Sequence, residues 1–136
     1  EKAELKNGSL GVLTIDTIGL STNVYESTDD MSTLGKQVAH FPSTSAWDGN
    51  VGVSAHNMNL DGTAGLFLNL HKLEEGDAVS YKTALGERQY QITTILEISQ
   101  DDWSYLGYSD ENKITLITCI TERPEQRLVV QATEIK

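Results

Sequence analysis

Covalent chemistry in this chain would have to come from very few residues. Cys119 is the only cysteine, and His40, His56 and His71 are the only histidines. A thiolate rather than a thiol is the nucleophile, and a free thiol is only about 3% ionised at pH 7. A reactive Cys119 therefore needs a proton carrier and a positive or hydrogen-bonding group for a developing oxyanion. The competing reading is that Cys119, inside the apolar and threonine-rich run "ITLITCIT" (114–121), is a small buried side chain.

The histidines differ in setting. His71 lies beside an apolar helical stripe in "FLNLHKL", which suits a packing or solvent-edge residue. His40, in "KQVAHFPSTS", reads as a hydrogen-bonded loop histidine. His56 closes the apolar run "VGVSAH" and opens the polar loop "NMNLDGT", a strand-end position facing a loop-built cleft. Arg127 follows Cys119 by eight residues, with "ERPEQ" between them reading as a turn. Two strands joined by that turn would pair as an antiparallel hairpin and bring the guanidinium near the thiol. Without that pairing Arg127 is an ordinary surface arginine. Thr118 could offer its backbone N–H or hydroxyl beside the nucleophile, or could simply be a strand threonine.

Other chemistries lack their residues. One cysteine and three separated histidines give no metal-ligand spacing, and the acidic pairs read as solvated loop and cap positions. Neither a phosphate-cradling glycine loop nor the G-x-S-x-G of serine hydrolases occurs. A formal charge of −10 with scattered basic residues argues against nucleic-acid partners. The single cysteine excludes an intramolecular disulfide.

The 136 residues suffice for one domain, 1–136, with residues 1–9 a polar N-terminal segment. With no long apolar run and no leader-like start, the sequence reads as a trimmed soluble piece. Strand-like runs cover 9–16, 23–27, 50–56, 77–83, 88–99, 113–121 and 127–135. Short helices are predicted over 29–37 and 64–73, the second with Leu66, Phe67, Leu70 and Leu73 on one stripe. Seven or eight short strands with one or two small helices predict a mainly all-β fold, a closed or nearly closed β-barrel, with a sandwich as the alternative.

Five ordered blocks carry a family resemblance. "TLITC" (115–119) resembles the TLxTC signature of sortases, the cysteine transpeptidases of Gram-positive cell surfaces. "GVLTIDTIGLSTNVY" (11–25) is similar to the family's opening strands, with Asp16 where proline is usual. "VAHFPSTSAWDGNVGVSAHN" (38–57) resembles the run ending at the catalytic histidine, with Ala55 in place of a common glycine. "FLNLHKLEEGDAVSY" and "RLVVQATEI" resemble the following segment and the last strand.

The resemblance implies a closed eight-stranded sortase barrel, held in life on the outer face of the membrane by an anchor. It implies Cys119 as nucleophile, His56 as general acid/base, Arg127 as the substrate and oxyanion holder, and Thr118 as an aid to the tetrahedral intermediate. The implied reaction cleaves an LPxTG-type sorting signal after threonine and passes the acyl group to an amine on a cell-wall precursor or a pilin. It needs no metal and no organic cofactor. A lid would require an N-terminal Asp-aromatic anchor that the short segment before residue 10 lacks, which favours a class D-like or A-like enzyme. Asp48 alone in the loop before the histidine strand predicts no calcium dependence. Set against this are a silent barrel-type binding module with Cys119 in its core, and a thiol redox sensor without a role for Arg127.

Overall fold

The computed structural model describes residues 10–26, 38–41, 44–45, 47–54, 67–99, 102, 104–107, 109–120 and 123–135. The strands are β1 (Gly11–Ile15), β2 (Leu20–Glu26), β3 (Val38–His40), β4 (Asn50–Ser54), β5 (Ala78–Thr83), β6 (Gly86–Ser99), β7 (Lys113–Ile120) and β8 (Arg123–Glu134). Helical structure among the described residues is limited to short 3₁₀ turns at Asp16–Ile18, Leu68–Lys72 and Ser104–Leu106. The mainly-β expectation is met. The helix expected at 29–37 lies outside the described residues.

Alternation builds the inner face of the sheet. In β1, Leu13 and Ile15 are fully buried while Val12 and Thr14 are half-buried. In β5, Val79, Tyr81 and Thr83 are buried while Ala78 and Lys82 are exposed. Strand side chains point alternately to opposite faces, so these residues meet on one side. They join Val51 and Val53 of β4, Tyr90 and Ile92 of β6, Ile114 and Leu116 of β7, and Val130 and Ala132 of β8 in one core.

The strands neighbour one another in the order β1-β2-β3-β4-β7-β8-β6-β5, and β5 pairs back onto β1 through Val12–Lys82 and Leu13–Tyr81. Most pairs are antiparallel, whereas β2–β3 and β4–β7 are parallel. A parallel neighbour cannot be reached by a tight hairpin. Asn50 is thereby set opposite Lys113, and Ser54 opposite Ile117.

The predicted helix over 64–73 is realised, within its described part, as the five-residue 3₁₀ turn Leu68–Lys72. Phe67, Leu70 and Leu73 are buried at three-residue intervals, which matches the three residues per turn of a 3₁₀ helix. Two further boundaries differ from the sequence reading. Val38–His40 forms a short strand, and β8 begins at Arg123, inside the segment read as a turn.

A stacked cation ties β6 and β8 to the chain before β4. The Arg88 guanidinium lies 4.1 Å from the centre of the Trp47 ring, donates to the Trp47 carbonyl at 2.7 Å, and pairs with Asp48 at 2.8 Å and Glu134 at 3.5 Å. Beneath it Tyr90 has no solvent exposure, and burial pushes its phenol up to about 12 against the opposing pull of Arg88. The unfolded phenol, at about 10, gives up its proton first as pH rises, so the folded state loses relative stability in that window. Unfolding free energy measured by urea titration is expected to lose about 2–3 kcal/mol through Tyr90 between about pH 10 and 12, with no contribution below that window. Tyr90→Phe should remove that part of the slope; parallel pH profiles for the two proteins would contradict the assignment.

Candidate active site

β7 is buried on both faces from Ile114 to Thr118. Ile114 and Leu116 face the main core. Ile117 belongs instead to a second cluster with Ile98 of β6 and Val129 of β8, over which Phe41, Leu96, Tyr105 and Leu106 pack. The outer face of β6, β7 and β8 is thus covered by the Ser104–Leu106 turn and the chain around Phe41.

Beside this cluster, the register sets Cys119 of β7 opposite Arg127 of β8, and Arg127 opposite Ile98 of β6. Directly opposed residues of an antiparallel pair have Cβ atoms about 5 Å apart. The expected β7–β8 pairing is present, and its end is irregular: Ile120 pairs with Arg123, so the register shifts immediately after Cys119. The extra residues of β8 bulge at this point, an arrangement that bends a strand and re-aims its neighbours. Arg127 is half-buried, and its Nη1 donates to the Gln126 carbonyl at 2.9 Å.

Thr118 is buried, opposite Leu128, on the inner side of β7. β4 ends at Ser54, the register partner of Ile117, two residues before Cys119. His56, two residues beyond Ser54, lies outside the described residues. His71 is exposed on its 3₁₀ turn.

His40 is buried in β3 and fastens the chain that follows it. Its Nε2 lies 2.8 Å from the Ser45 carbonyl, which can only accept, so Nε2 carries the proton. The Thr44 hydroxyl lies 3.1 Å from the same nitrogen, donates to the Phe41 carbonyl at 2.7 Å, and accepts the Gly52 N–H at 3.0 Å. These bonds hold Phe41 on the second cluster.

The Ser104–Leu106 turn is fixed from two sides. The Asp102 carboxylate accepts the Ser104 hydroxyl at 2.6 Å and its N–H at 3.0 Å, and those bonds, the hydroxyl's foremost, hold its carboxyl below the usual range. From the sheet, the Asn50 amide donates to the carbonyls of Tyr105 and Gly107 at 2.9 and 3.0 Å. Sequence reasoning did not anticipate this turn or its anchor. The only local signal was a polar residue set within each of three apolar strands.

Among the described residues no group of histidine, cysteine and acidic side chains could hold a metal ion. Asp48 is engaged by Arg88.

The register sets the Cys119 position opposite Arg127 on a curled, mainly-β sheet whose outer face is partly covered. The comparisons with known proteins assign the chain's family. A family profile for the sortase domain matches residues 13–135, and the chain belongs to the sortase family. It is 26% identical to sortase A of Bacillus anthracis over 139 aligned residues, covering 98% of this chain and 65% of that protein's length. Among solved structures it is similar to sortase C1 of Streptococcus agalactiae in complex with MTSET, with a TM-score of 0.87 and 26% identity, covering 98% of this chain and 70% of that one. The lid-mutant of that sortase C1 gives a TM-score of 0.85 at 28% identity, covering 98% and 72%.

Gly52 allows the two covering segments to meet the sheet. A Cβ there would stand 2.7 Å from Leu106 Cδ2 and 2.9 Å from Thr44 Cγ2. Leu106 can swing aside, but Thr44 is pinned by its hydroxyl bonds, one of them to Gly52 itself. Gly52→Ala is expected to cost about 1–3 kcal/mol of stability. An unchanged midpoint in urea would show that the covering segments yield without strain.

Proposed function

We propose that this chain is a cysteine transpeptidase of the sortase type, acting on LPxTG-like sorting signals. The observation that carries the reading is the register pair Cys119–Arg127 in a chain of this family. In the proposed reaction the Cys119 thiolate attacks the carbonyl carbon after the threonine of the signal. The resulting oxyanion is held by the Arg127 guanidinium and by the backbone of Thr118, whose own side chain is buried. The C–N bond then breaks, and His56 delivers a proton to the departing amine. An incoming amine attacks the thioester and gives its proton to His56, and the thiolate returns. Water in place of the amine gives hydrolysis as the side reaction.

The acceptor is proposed to be an amine on a peptidoglycan precursor or the lysine of a pilin. No metal or organic cofactor enters the scheme. We read the ring of strand pairings as the closed eight-stranded barrel of the family. The place of action is proposed to be the outer face of the membrane of a Gram-positive cell. No helix among the described residues is long and apolar enough to cross a membrane, so anchoring would come from another segment.

Cys119→Ala is expected to abolish cleavage of an LPxTG-type peptide, followed by mass spectrometry with and without an amine acceptor, while circular dichroism stays unchanged. Retained cleavage would remove the nucleophile assignment. Parent activity should be bell-shaped in pH, because one arm requires the thiolate and the other a protonated imidazole. Arg127→Lys should lose at least about tenfold in kcat/KM, since an ammonium cannot reproduce a guanidinium fork. A fully active Arg127→Lys enzyme would count against the oxyanion role.

A further inference from the structure

Thr115 of β7 has no solvent exposure, yet it carries a hydroxyl on the outer face, where Ile117 also lies. Its bonding can be followed proton by proton. Its one hydrogen goes to Asn50 Oδ1, 2.6 Å away, in preference to the more distant Tyr105 carbonyl at 3.4 Å. Its oxygen accepts from Gln131 Nε2 at 3.2 Å. Carbonyl oxygens only accept, so the two hydrogens of Asn50 Nδ2 are directed to Tyr105 O and Gly107 O, and Asn50 Oδ1 is turned toward Thr115. Gln131 Nε2 sends its second hydrogen to Tyr105 O at 3.2 Å.

Three adjacent strands of the sheet thus hold one short segment by its backbone. Asn50 comes from β4, Thr115 from β7 and Gln131 from β8, and Tyr105 O receives donors from two of them. Two of these strands, β7 and β8, continue, two and four residues along, into the apolar cluster and the Cys119–Arg127 register. Thr115, Ile117 and residue 119 succeed one another on β7, opposite Gln131, Val129 and Arg127 on β8. Tyr105 and Leu106 lie on the Ile98–Ile117–Val129 cluster, and Ile98 is itself opposite Arg127.

We propose that Asn50, Thr115 and Gln131 are positioning residues that lock the Tyr105–Gly107 segment as one wall of the groove beside the Cys119–Arg127 pair. This rests on the transpeptidase reading. None of the three touches the reacting atoms, so their contribution falls on peptide binding. A buried network with one member removed leaves its remaining donors and acceptors unpaired, so the wall should loosen as a unit.

The test compares the parent with Thr115→Val, which keeps the shape and removes the hydroxyl, and Thr115→Ser, which keeps the hydroxyl. Two quantities are read: kcat and KM on an LPxTG-type peptide, and hydrogen–deuterium exchange of a peptide spanning residues 104–107. Thr115→Val should raise KM about tenfold with kcat within about twofold, and should speed exchange in 104–107. Thr115→Ser should resemble the parent in both. Unaltered exchange in Thr115→Val, or a fall in kcat at constant KM, would overturn the proposal. Should Thr115→Val fail to fold, Gln131→Met at a half-buried position removes two donors and is judged by the same criteria. If the parent itself does not cleave the peptide, the transpeptidase reading fails, and the exchange data alone decide whether the network holds the segment.

Discussion

A strand sealed from water on both sides cannot carry an unsatisfied hydroxyl without a penalty of about 1–3 kcal/mol. β7 is such a strand, and Thr115 is its fully buried polar residue on the outer side. The answer to that constraint is the Asn50–Thr115–Gln131 network, which requires β4 and β8 to flank β7 in one register. Once that register is set, the positions of Ser54, Cys119 and Arg127 follow along the same strands. The polar bonds at one end of β7 and the Cys119–Arg127 register at the other are two results of one alignment.

The covering segments are held with comparable economy. Thr44 serves three partners through one hydroxyl, and His40 is committed as a donor to the Ser45 carbonyl. The buried His40 therefore acts in construction here, hydrogen-bonded as read, although it lies at the end of β3 and not in a loop. At the opposite end, Arg88 spends its charge on Trp47, Asp48 and Glu134, joining β6, β8 and the loop before β4. Each clasp ties chain segments far apart in sequence.

Much of this was legible from residue order, for identifiable reasons. Val79, Tyr81 and Thr83 alternate cleanly because β5 has one wet face, so its pattern is visible. Cys119 and Arg127 could be paired on paper because they flank a single short connection. β3 escaped notice because three residues cannot display a period, and His40 in the middle of "VAHF" looks like loop. The β8 boundary was displaced because Pro124 signals a turn, whereas Arg123 already pairs with Ile120 in the strand. The segment at 67–73 looked helical because intervals of three and four coincide over so short a run. Its buried positions obey the interval of three alone. The Asn50–Thr115–Gln131 contacts leave no more trace in residue order than one polar residue in each of three apolar strands, since they join residues 65 and 16 positions apart.

β8 lies between β6 and β7 in space although it follows both in chain order. Until it arrives, those two strands have no partner on their facing edges, and the guanidinium position has not yet been delivered to the thiol position. During synthesis β8, which bears Arg127, emerges after both of the strands it separates, and pairings over long sequence separations form slowly. Chain order in this topology thus brings Arg127 opposite Cys119 only when β8 joins the sheet.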